Sequence, residues 1–239
     1  MFTRNLVVLP SNAAKDGTIK LRSLLDYFQD TATLAVNDVE GTPTQLYAKG
    51  YAWVLTRYEI EFTGPLPALD DEFTINTYHD PNHAYNCLRV FDVTSGGKHV
   101  VWAKSSWVLL DLAAGRPVKP IAHIEGIASR DTGEISPDFR ELPKAGEIIK
   151  SVDVPVMPHF LDYNAHVNNA VYFALVHDFS PIDTDTHTLR GVYATFRSGA
   201  KFGETMTLNY SQDGVCCVMR QGVAKPSAQF LCVWEVIAR

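Results

Sequence analysis

The chain has 239 residues, of which 46% are hydrophobic, and its formal net charge is −6 at neutral pH. Such a chain can bury a large core and should form one or two globular domains. The negative charge and the absence of a basic run argue against nucleic acid as a partner. No apolar run approaches the roughly 18 residues of a transmembrane helix, so we expect no membrane span.

The start of the chain and its cysteines predict a cytoplasmic protein. The first ten residues are too short and too polar for a signal peptide. The four cysteines lie in apolar runs without Cys-x-x-Cys spacing: Cys87, Cys216, Cys217 and Cys232. We therefore expect free thiols that pack as small core residues, as is usual in the cytoplasm, with no metal and no cofactor.

In the first half, a short strand is followed by a helix and four longer strands. The first strand is predicted over 6–10, and apolar residues then recur at helical spacing from Leu24 onward. Ser23 is the candidate N-cap of this helix and Gly41 its C-terminal stop. Runs rich in β-branched and aromatic residues predict strands over 51–62, 72–78, 85–93 and 99–110. The Ser95-Gly96-Gly97 segment predicts a tight hairpin.

The second half repeats this pattern after a long connection. Residues 111–149 are rich in glycine and proline and predict at most short helices. A strand over 152–157 and a polar loop come next, followed by an almost wholly apolar helix capped by Asn168 or Asn169 and stopped by Pro181. An apolar helix of this kind must lie inside the protein. Further strands are predicted over 190–196, 205–210, 215–221 and 228–237.

The two halves match at one offset of 146 residues, which pairs Asp16 with Asp162 and Tyr27 with Phe173. This internal repeat predicts two α+β units, each an antiparallel sheet wrapped around a long central helix. Few residues are identical, so a chance similarity between two α+β domains is the alternative.

The polar loop before the second helix carries the candidate chemistry. Asp162, Asn164 and His166 alternate, so an extended backbone would point their side chains to one side. A neutral histidine beside a carboxylate and an amide, at the positive end of a helix, can act as a general base. The alternative is a capping loop whose histidine is only hydrogen-bonded. At the matched places the first half has Thr18 and Lys20, so any chemistry belongs to the second half.

Four segments carry motifs of one enzyme family. They are Leu24-Leu-Asp-Tyr-Phe-Gln-Asp-Thr-Ala, Trp53-Val-Leu-Thr-Arg-Tyr-Glu-Ile, residues 106–117 and Asp162-Tyr-Asn-Ala-His-Val-Asn-Asn. On these segments the chain resembles the acyl-acyl carrier protein (ACP) thioesterases, which are built from two hotdog domains. With that fold, we expect an N-terminal hotdog domain over 1–124, a linker over 125–150, and a C-terminal hotdog domain over 151–239 that carries the catalytic loop.

The resemblance implies hydrolysis of a fatty acyl thioester on the phosphopantetheine arm of ACP, with Asp162, Asn164 and His166 as the catalytic residues. His166 would activate water, Asn164 would orient the water or the carbonyl, and Asp162 would hold its neighbours in place. We expect four residues to bind substrate: Asn168, Asn169, Trp53 and Arg57. The partner implied is ACP, and a homodimer is left open.

The chain departs from the family at one place. The family commonly carries a glutamate, often followed by a cysteine, on the strand after the helix, where this chain has Gly199 and Ala200. Neither side chain can polarise water, and we expect Glu204 to belong to the next turn. An acyl-coenzyme A thioesterase with the same site and a catalytically weakened acyl-binding protein are therefore the alternatives. Basic residues are the candidates for contacting the acidic carrier: Arg57, Arg89, Lys104, Arg116 and Lys119.

Overall fold

The computed structural model describes residues 1–129 and 131–237. The chain divides into two compact units, Met1–Phe139 and Arg140–Arg239. The finer domain boundaries that the sequence suggests, with a linker over 125–150, stay a prediction. In the part of the chain that the structure describes, no helix is both long enough and apolar enough to cross a membrane.

The first unit is an antiparallel sheet with a central helix. Its elements are β1 (Phe2–Val7), α1 (Leu21–Ala35), α2 (Pro43–Ala48), β2 (Tyr51–Phe62), β3 (Glu72–His83), β4 (Asn86–Ser95), β5 (Lys98–Asp111), β6 (Arg116–Val118) and α3 (Pro120–His123). Within this unit the strands lie in the order β1-β3-β4-β5-β2, and β6 pairs with β5. The predicted hairpin is confirmed, because Ser95 pairs with Lys98 across two glycines at positive φ.

Helix α1 buries one face against this sheet, as its apolar spacing predicts. Leu24, Leu25 and Phe28 are buried, and the ring of Phe28 stacks on that of Phe91 in β4 with centroids 4.6 Å apart. Tyr27 meets Phe73 of β3 edge to face. Burial of large apolar side chains of this kind contributes roughly 1.5–3 kcal/mol each.

Four predicted boundaries in this unit are wrong, one of them the end of the strand predicted over 72–78, which continues to His83. The helix begins at Leu21, with Lys20 rather than Ser23 at the N-cap, because the carbonyl of Lys20 already accepts the N–H of Leu24 at 3.0 Å. It ends at Ala35, before a separate 3-10 turn, so Gly41 does not stop it. The first strand covers Phe2–Val7 instead of 6–10, because a 3-10 turn starts at Pro10.

The second unit has the same plan. Its elements are β7 (Ile148–Pro155), α4 (Asn169–Asp178), β8 (His187–Phe196), β9 (Thr205–Ser211), β10 (Val215–Arg220) and β11 (Ala228–Val236). Within the unit the order is β8-β11-β10-β9-β7. The buried residues of α4 are Ala170, Val171, Tyr172, Phe173 and Val176. They lie on several sides of the helix, which confirms that it is an interior helix.

The repeat is confirmed by the fold. Counted within each unit, the strands follow one order: the first pairs with the third, then come the fourth, the fifth and the second. In both units a 3-10 turn and a loop lead from the first strand into the central helix, and the strand pairings of the sheets are antiparallel. The prediction of two α+β units, each an antiparallel sheet around a central helix, is therefore correct.

Candidate functional site

The loop before α4 is a tight turn. The N–H of Asp162 donates to the carbonyl oxygen of His166 at 2.8 Å, and the N–H of Ala165 donates to the carbonyl oxygen of Asp162 at 3.0 Å. Ala165 has φ 58°, in the left-handed region that residues with a Cβ seldom occupy. The expectation of an extended backbone with alternating side chains is therefore wrong, because the chain reverses direction between Asp162 and His166.

The carboxylate of Asp162 stabilises this turn. Its Oδ1 atom accepts the backbone N–H of Asn164 at 2.8 Å and that of His166 at 3.3 Å. An aspartate that accepts the N–H two residues later forms an Asx turn, in which the side chain takes the place of a backbone hydrogen-bond acceptor. Asp162 thus acts on the backbone that carries the other two polar side chains, and all three residues are half-buried.

Asn168 caps α4 and leaves one helix amide open. Its side-chain Oδ1 accepts the N–H of Ala170 at 2.8 Å, which confirms one of the two predicted caps. Asn169 is the first helical residue. Among the described residues its N–H has no hydrogen-bond partner. A free amide at the N-terminus of a helix favours negative charge, because the helix dipole adds to the N–H group.

His166 lies against the segment that follows β8. A Cβ built on Gly199 would be 2.8 Å from Cδ2 of His166 and 2.9 Å from its Cβ. Contacts this short do not occur between real side chains, so the imidazole rests directly on the glycine backbone. A glutamate at this place would require His166 to move. The glycine therefore has a packing role in this chain.

Ala200 has a structural role beside it. Its side chain is fully buried. Its N–H donates to the phenol oxygen of Tyr172 at 2.9 Å, and its carbonyl accepts the N–H of Val167 at 2.8 Å. Burial raises the pKa of Tyr172, so this hydroxyl stays protonated. Helix α4, the turn and the Gly199-Ala200 segment are thus joined by hydrogen bonds.

Arg220 secures the same segment from β10. Its guanidinium donates to the carbonyl oxygen of Gly199 and lies 3.4 Å from a carboxylate oxygen of Glu204. Glu204 also accepts the N–H of Lys201 at 2.9 Å, in the turn before β9 where the sequence places it. Sequence reasoning missed Arg220, because a lone arginine at the end of a strand carries no motif.

Two predicted substrate-binding residues, Trp53 and Arg57, belong to the first unit. The indole N–H of Trp53 donates to the carbonyl oxygen of Gly41 at 3.0 Å, and the ring packs on a core cluster that contains Leu46. The exposed guanidinium of Arg57 lies 5.8 Å from the ring centre of Phe139. Their binding of substrate stays a prediction.

The basic residues expected at the surface divide into two groups. Arg57, Arg116 and Lys119 are exposed, as surface contacts require. Arg89 and Lys104 are buried, with only 6% of each residue exposed to solvent, so their assignment to a docking surface is wrong. Their strands place both inside the first unit, where Lys104 lies 3.4 Å from the carboxylate of Glu59.

Comparison with known families places both units. Residues 1–124 match the model of the acyl-ACP thioesterase N-terminal domain, and residues 146–227 match that of the C-terminal domain. An acyl-[acyl-carrier-protein] hydrolase of Cuphea viscosissima is 24% identical over 196 residues, which are 76% of this chain and 47% of that protein. A palmitoyl-acyl carrier protein thioesterase of Arabidopsis thaliana is 22% identical over 198 residues, covering 76% of this chain and 48% of that protein. The chain spans about half the length of these curated relatives.

Solved structures share the fold over nearly the whole chain. An acyl-ACP thioesterase from Bacteroides thetaiotaomicron superposes with a TM-score of 0.82 at 20% identity, covering 98% of this chain and 97% of that one. A 12:0-ACP thioesterase from Umbellularia californica gives 0.85 at 16% identity, covering 99% and 97%. At these identities the likeness establishes the fold alone, and it confirms two tandem hotdog units.

Proposed function

The chain belongs to the acyl-ACP thioesterase family, and on that premise we propose that it hydrolyses fatty acyl-ACP to free fatty acid and holo-ACP. The observation that carries this proposal is the turn from Asp162 to Asn168, which brings His166 and Asn164 to the N-terminus of the buried helix α4. The imidazole of His166, the side-chain amide of Asn164 and the free backbone N–H of Asn169 lie in one short segment. Together they can assist the attack of water on a thioester.

In the proposed reaction, His166 takes a proton from water as the water oxygen attacks the thioester carbonyl. The carbonyl oxygen becomes an oxyanion, which we assign to the free N–H of Asn169. The intermediate collapses by breaking the carbon–sulfur bond, and the proton on His166 passes to the departing thiolate. Asn164 orients the water or the carbonyl, and Asp162 holds the turn. Asn168 acts through its cap on α4.

No covalent intermediate is part of this proposal. A thioester is already activated, so a positioned water can attack it directly. The side chains of Gly199 and Ala200 offer no nucleophile, and both residues serve to hold the turn and the ring of His166. The two residues also support the competing possibility of an acyl-binding protein that has lost its activity.

The deciding experiment compares matched acyl-ACP and acyl-coenzyme A substrates of several chain lengths with the purified chain. We expect hydrolysis of both, with a higher kcat/KM for the ACP-bound form. Preference for coenzyme A would support the alternative thioesterase. Binding without hydrolysis of any substrate would support the acyl-binding alternative and contradict our proposal.

We also propose that the exposed Arg116 and Lys119 contact the acidic carrier, since a chain of net charge −6 needs a local basic surface to meet it. Replacing both with glutamate should raise KM for acyl-ACP and leave KM for a short synthetic thioester unchanged. The rise should shrink at high salt, because salt screens exposed charges. Equal effects on both substrates would contradict this docking surface. A cytoplasmic location remains part of the proposal, supported by four free cysteines.

A further inference from the structure

The peptide unit between Gly199 and Ala200 is held at both of its polar ends. Its N–H donates to the phenol oxygen of Tyr172 at 2.9 Å, and its carbonyl oxygen accepts from the guanidinium of Arg220. We call this arrangement the peptide clamp. The imidazole of His166 lies against the clamped backbone, because a Cβ built on Gly199 would be 2.8 Å from Cδ2 of the ring. The clamp and the candidate base thus meet inside the second unit.

The first unit builds the same backbone corner between its helix loop and its sheet. There the carbonyl of Pro67 accepts the N–H of Ile19 at 2.9 Å. In the second unit the carbonyl of Ala200 accepts the N–H of Val167 at 2.8 Å. The two donors are 148 positions apart in the sequence, and the two acceptors are 133 positions apart. Pro67 therefore stands at the place of Ala200.

The turn after this corner is also the same in the two units. In the first unit the carboxylate of Asp71 accepts the N–H of Ala68, and the N–H of Asp71 donates to the carbonyl of Ala68. In the second unit Glu204 makes both contacts with Lys201. These residues are again 133 positions apart. The comparison of the two corners is thus supported by hydrogen bonds on both sides of the clamped peptide.

The contact between the peptide N–H and a tyrosine has no counterpart in the first unit. Pro67 has no backbone N–H to donate. Leu24, which lies 148 positions before Tyr172, is buried in the same way but has no hydroxyl. Both the donor and the acceptor of this contact are therefore missing where the loop carries no histidine.

The arginine is specific to the second unit as well. Arg220 pairs with Met206 in the sheet, and Ser95 pairs with Phe73, which lies 133 positions before Met206. Ser95 has no charge, and its hydroxyl donates to the carbonyl of Glu72 at 3.3 Å. Since the first unit forms the corner with a serine at this place, the corner itself does not require the clamp.

The position of Arg220 also carries an energetic cost. Its Nε is buried and has no hydrogen-bond partner among the described residues. A buried donor without an acceptor lowers the stability of a protein. The carboxylate of Glu204, 3.4 Å away, has 38% of its side chain exposed, and an ion pair with so exposed a partner contributes little. Stability of the fold therefore does not explain the arginine.

We propose that Arg220 and Tyr172 are positioning residues for His166, which act by fixing the orientation of the Gly199-Ala200 peptide. A glycine backbone has a wide choice of φ and ψ, so a peptide next to it can rotate unless it is held. Rotation would move the surface on which the imidazole rests, and a small displacement of a catalytic group is costly to the rate. The inference rests on the proposed function for the role of His166 as the base.

Kinetics of Arg220→Met separate positioning from support of the fold. We expect kcat for acyl-ACP to fall about 10- to 100-fold. KM and the urea midpoint should stay close to those of the parent, because the residue acts through the base. Arg220→Lys should keep most of the rate, since one atom, Nη1, makes both contacts of this arginine and an ammonium can replace it. Arg190→Met is the matched control, because it removes an exposed ion pair with Glu235 in the same unit.

A double-mutant cycle tests whether Arg220 acts through the base. In a His166→Ala background, Arg220→Met should lower kcat no further, because the group that it positions is absent. The same cycle with Tyr172→Phe should give the same result, and it decides the question if Arg220→Met does not fold. An equal further fall in the His166→Ala background would overturn the proposal. So would a lower urea midpoint with an unchanged kcat in Arg220→Met, because the arginine would then only support the fold.

Nuclear magnetic resonance tests the clamp without relying on hydrolysis. The imidazole signal of His166 is identified by its loss in His166→Ala. It should shift or broaden in Arg220→Met and stay unchanged in Arg190→Met. A signal that is the same in the parent and in Arg220→Met would overturn the proposal. Inactivity of the parent toward every thioester would contradict the proposed function instead, so the two failures can be told apart.

Discussion

The loops that lead into the two central helices have the same backbone and different side chains. In the first unit the N–H of Ala14 donates to the carbonyl of Thr18 and the N–H of Lys20 to that of Asn12; in the second unit the same bonds join residues 148 positions later. The 3-10 turns, the isolated bridges and the starts of α1 and α4 are related by the same interval. The fold therefore repeats the turn, and the chemistry depends on what the turn carries.

The side chains diverge at the positions to which we assign the proposed hydrolysis. The interval pairs Asp162 with Ala14, and His166 with Thr18. In the first unit an aspartate stands two residues later, where Asp16 accepts both the N–H and the hydroxyl of Thr18. Each loop thus recruits a carboxylate to hold its turn, but only the second unit leaves a histidine beside a helix amide. One backbone serves as a structural corner in one unit and a candidate site in the other.

The largest difference between the two loops should appear when His166 is removed. His166→Ala should lower kcat for acyl thioesters by about 10²- to 10⁴-fold, the range for a positioned acid or base. Thr18→Ala is the matched control, because it changes the equivalent position of the first unit, and it should leave kcat unchanged. Steady-state hydrolysis of acyl-ACP measures both. If His166→Ala hydrolysed substrate at the parent rate, the assignment of the base would be wrong.

The second test concerns the glycine behind the ring. Gly199→Glu restores the residue type common in the family, yet its Cβ would meet the imidazole at 2.8 Å. We expect kcat to fall on the order of 10- to 100-fold, because small displacements of a catalytic group cost that much. Ser198→Glu adds the same charge at an exposed neighbour and should have little effect. A higher rate in Gly199→Glu would contradict the packing role of this glycine.

Much of this fold could be predicted from the sequence, because its strands are long, β-branched and separated by clear turns. The strand over Tyr51–Phe62 was located to the residue, and the interior helix was evident from its lack of polar residues. The register of the repeat could not be predicted in the same way. Aligning Asp16 with Asp162 gave an offset of 146, which is two residues short, because one identical residue outweighed the backbone pattern that only hydrogen bonds reveal.

The site was predicted only in part for a similar reason. Asp162, Asn164 and His166 stand in one short motif, so their types and spacing identify them. The residues that support them are distant in sequence: Tyr172, Ala200 and Arg220 are brought together by α4, the end of β8 and β10. Likewise, the sequence predicts surface positions for Arg89 and Lys104, because buried cations break the usual rule for their residue types.

A third test sharpens the contrast between the two helices. The interval of 148 pairs Tyr172 with Leu24, and both are buried, but only Tyr172 offers a hydroxyl to a neighbouring N–H. Tyr172→Phe leaves the N–H of Ala200 without this partner and should destabilise the protein by about 1–3 kcal/mol. Urea unfolding measures the loss. Tyr47→Phe, at an exposed tyrosine, should leave the midpoint unchanged. An unchanged midpoint in Tyr172→Phe would show that the hydroxyl contributes no net stability.

The smallest expected effect concerns the residue that precedes each helix. Asn168 caps α4 through its side chain, whereas Lys20 at the equivalent place makes no capping bond to α1. Asn168→Ala should therefore cost about 0.5–2 kcal/mol. Lys20→Ala should cost almost nothing, since the side chain of Lys20 makes only an exposed bond to the carbonyl of Ser11.

The reciprocal exchange carries this comparison further. Lys20→Asn provides a cap and removes a positive charge from the positive end of α1, so it should stabilise the protein by about 0.5–1 kcal/mol in urea unfolding. Asn168→Lys should destabilise it by more than Asn168→Ala, because it removes the cap and adds the unfavourable charge. Since the backbone of the two turns is the same, opposite signs for the two exchanges would show that the side chains alone distinguish the helix ends. If both exchanges destabilised the protein, the turns would differ in more than the side chains they carry.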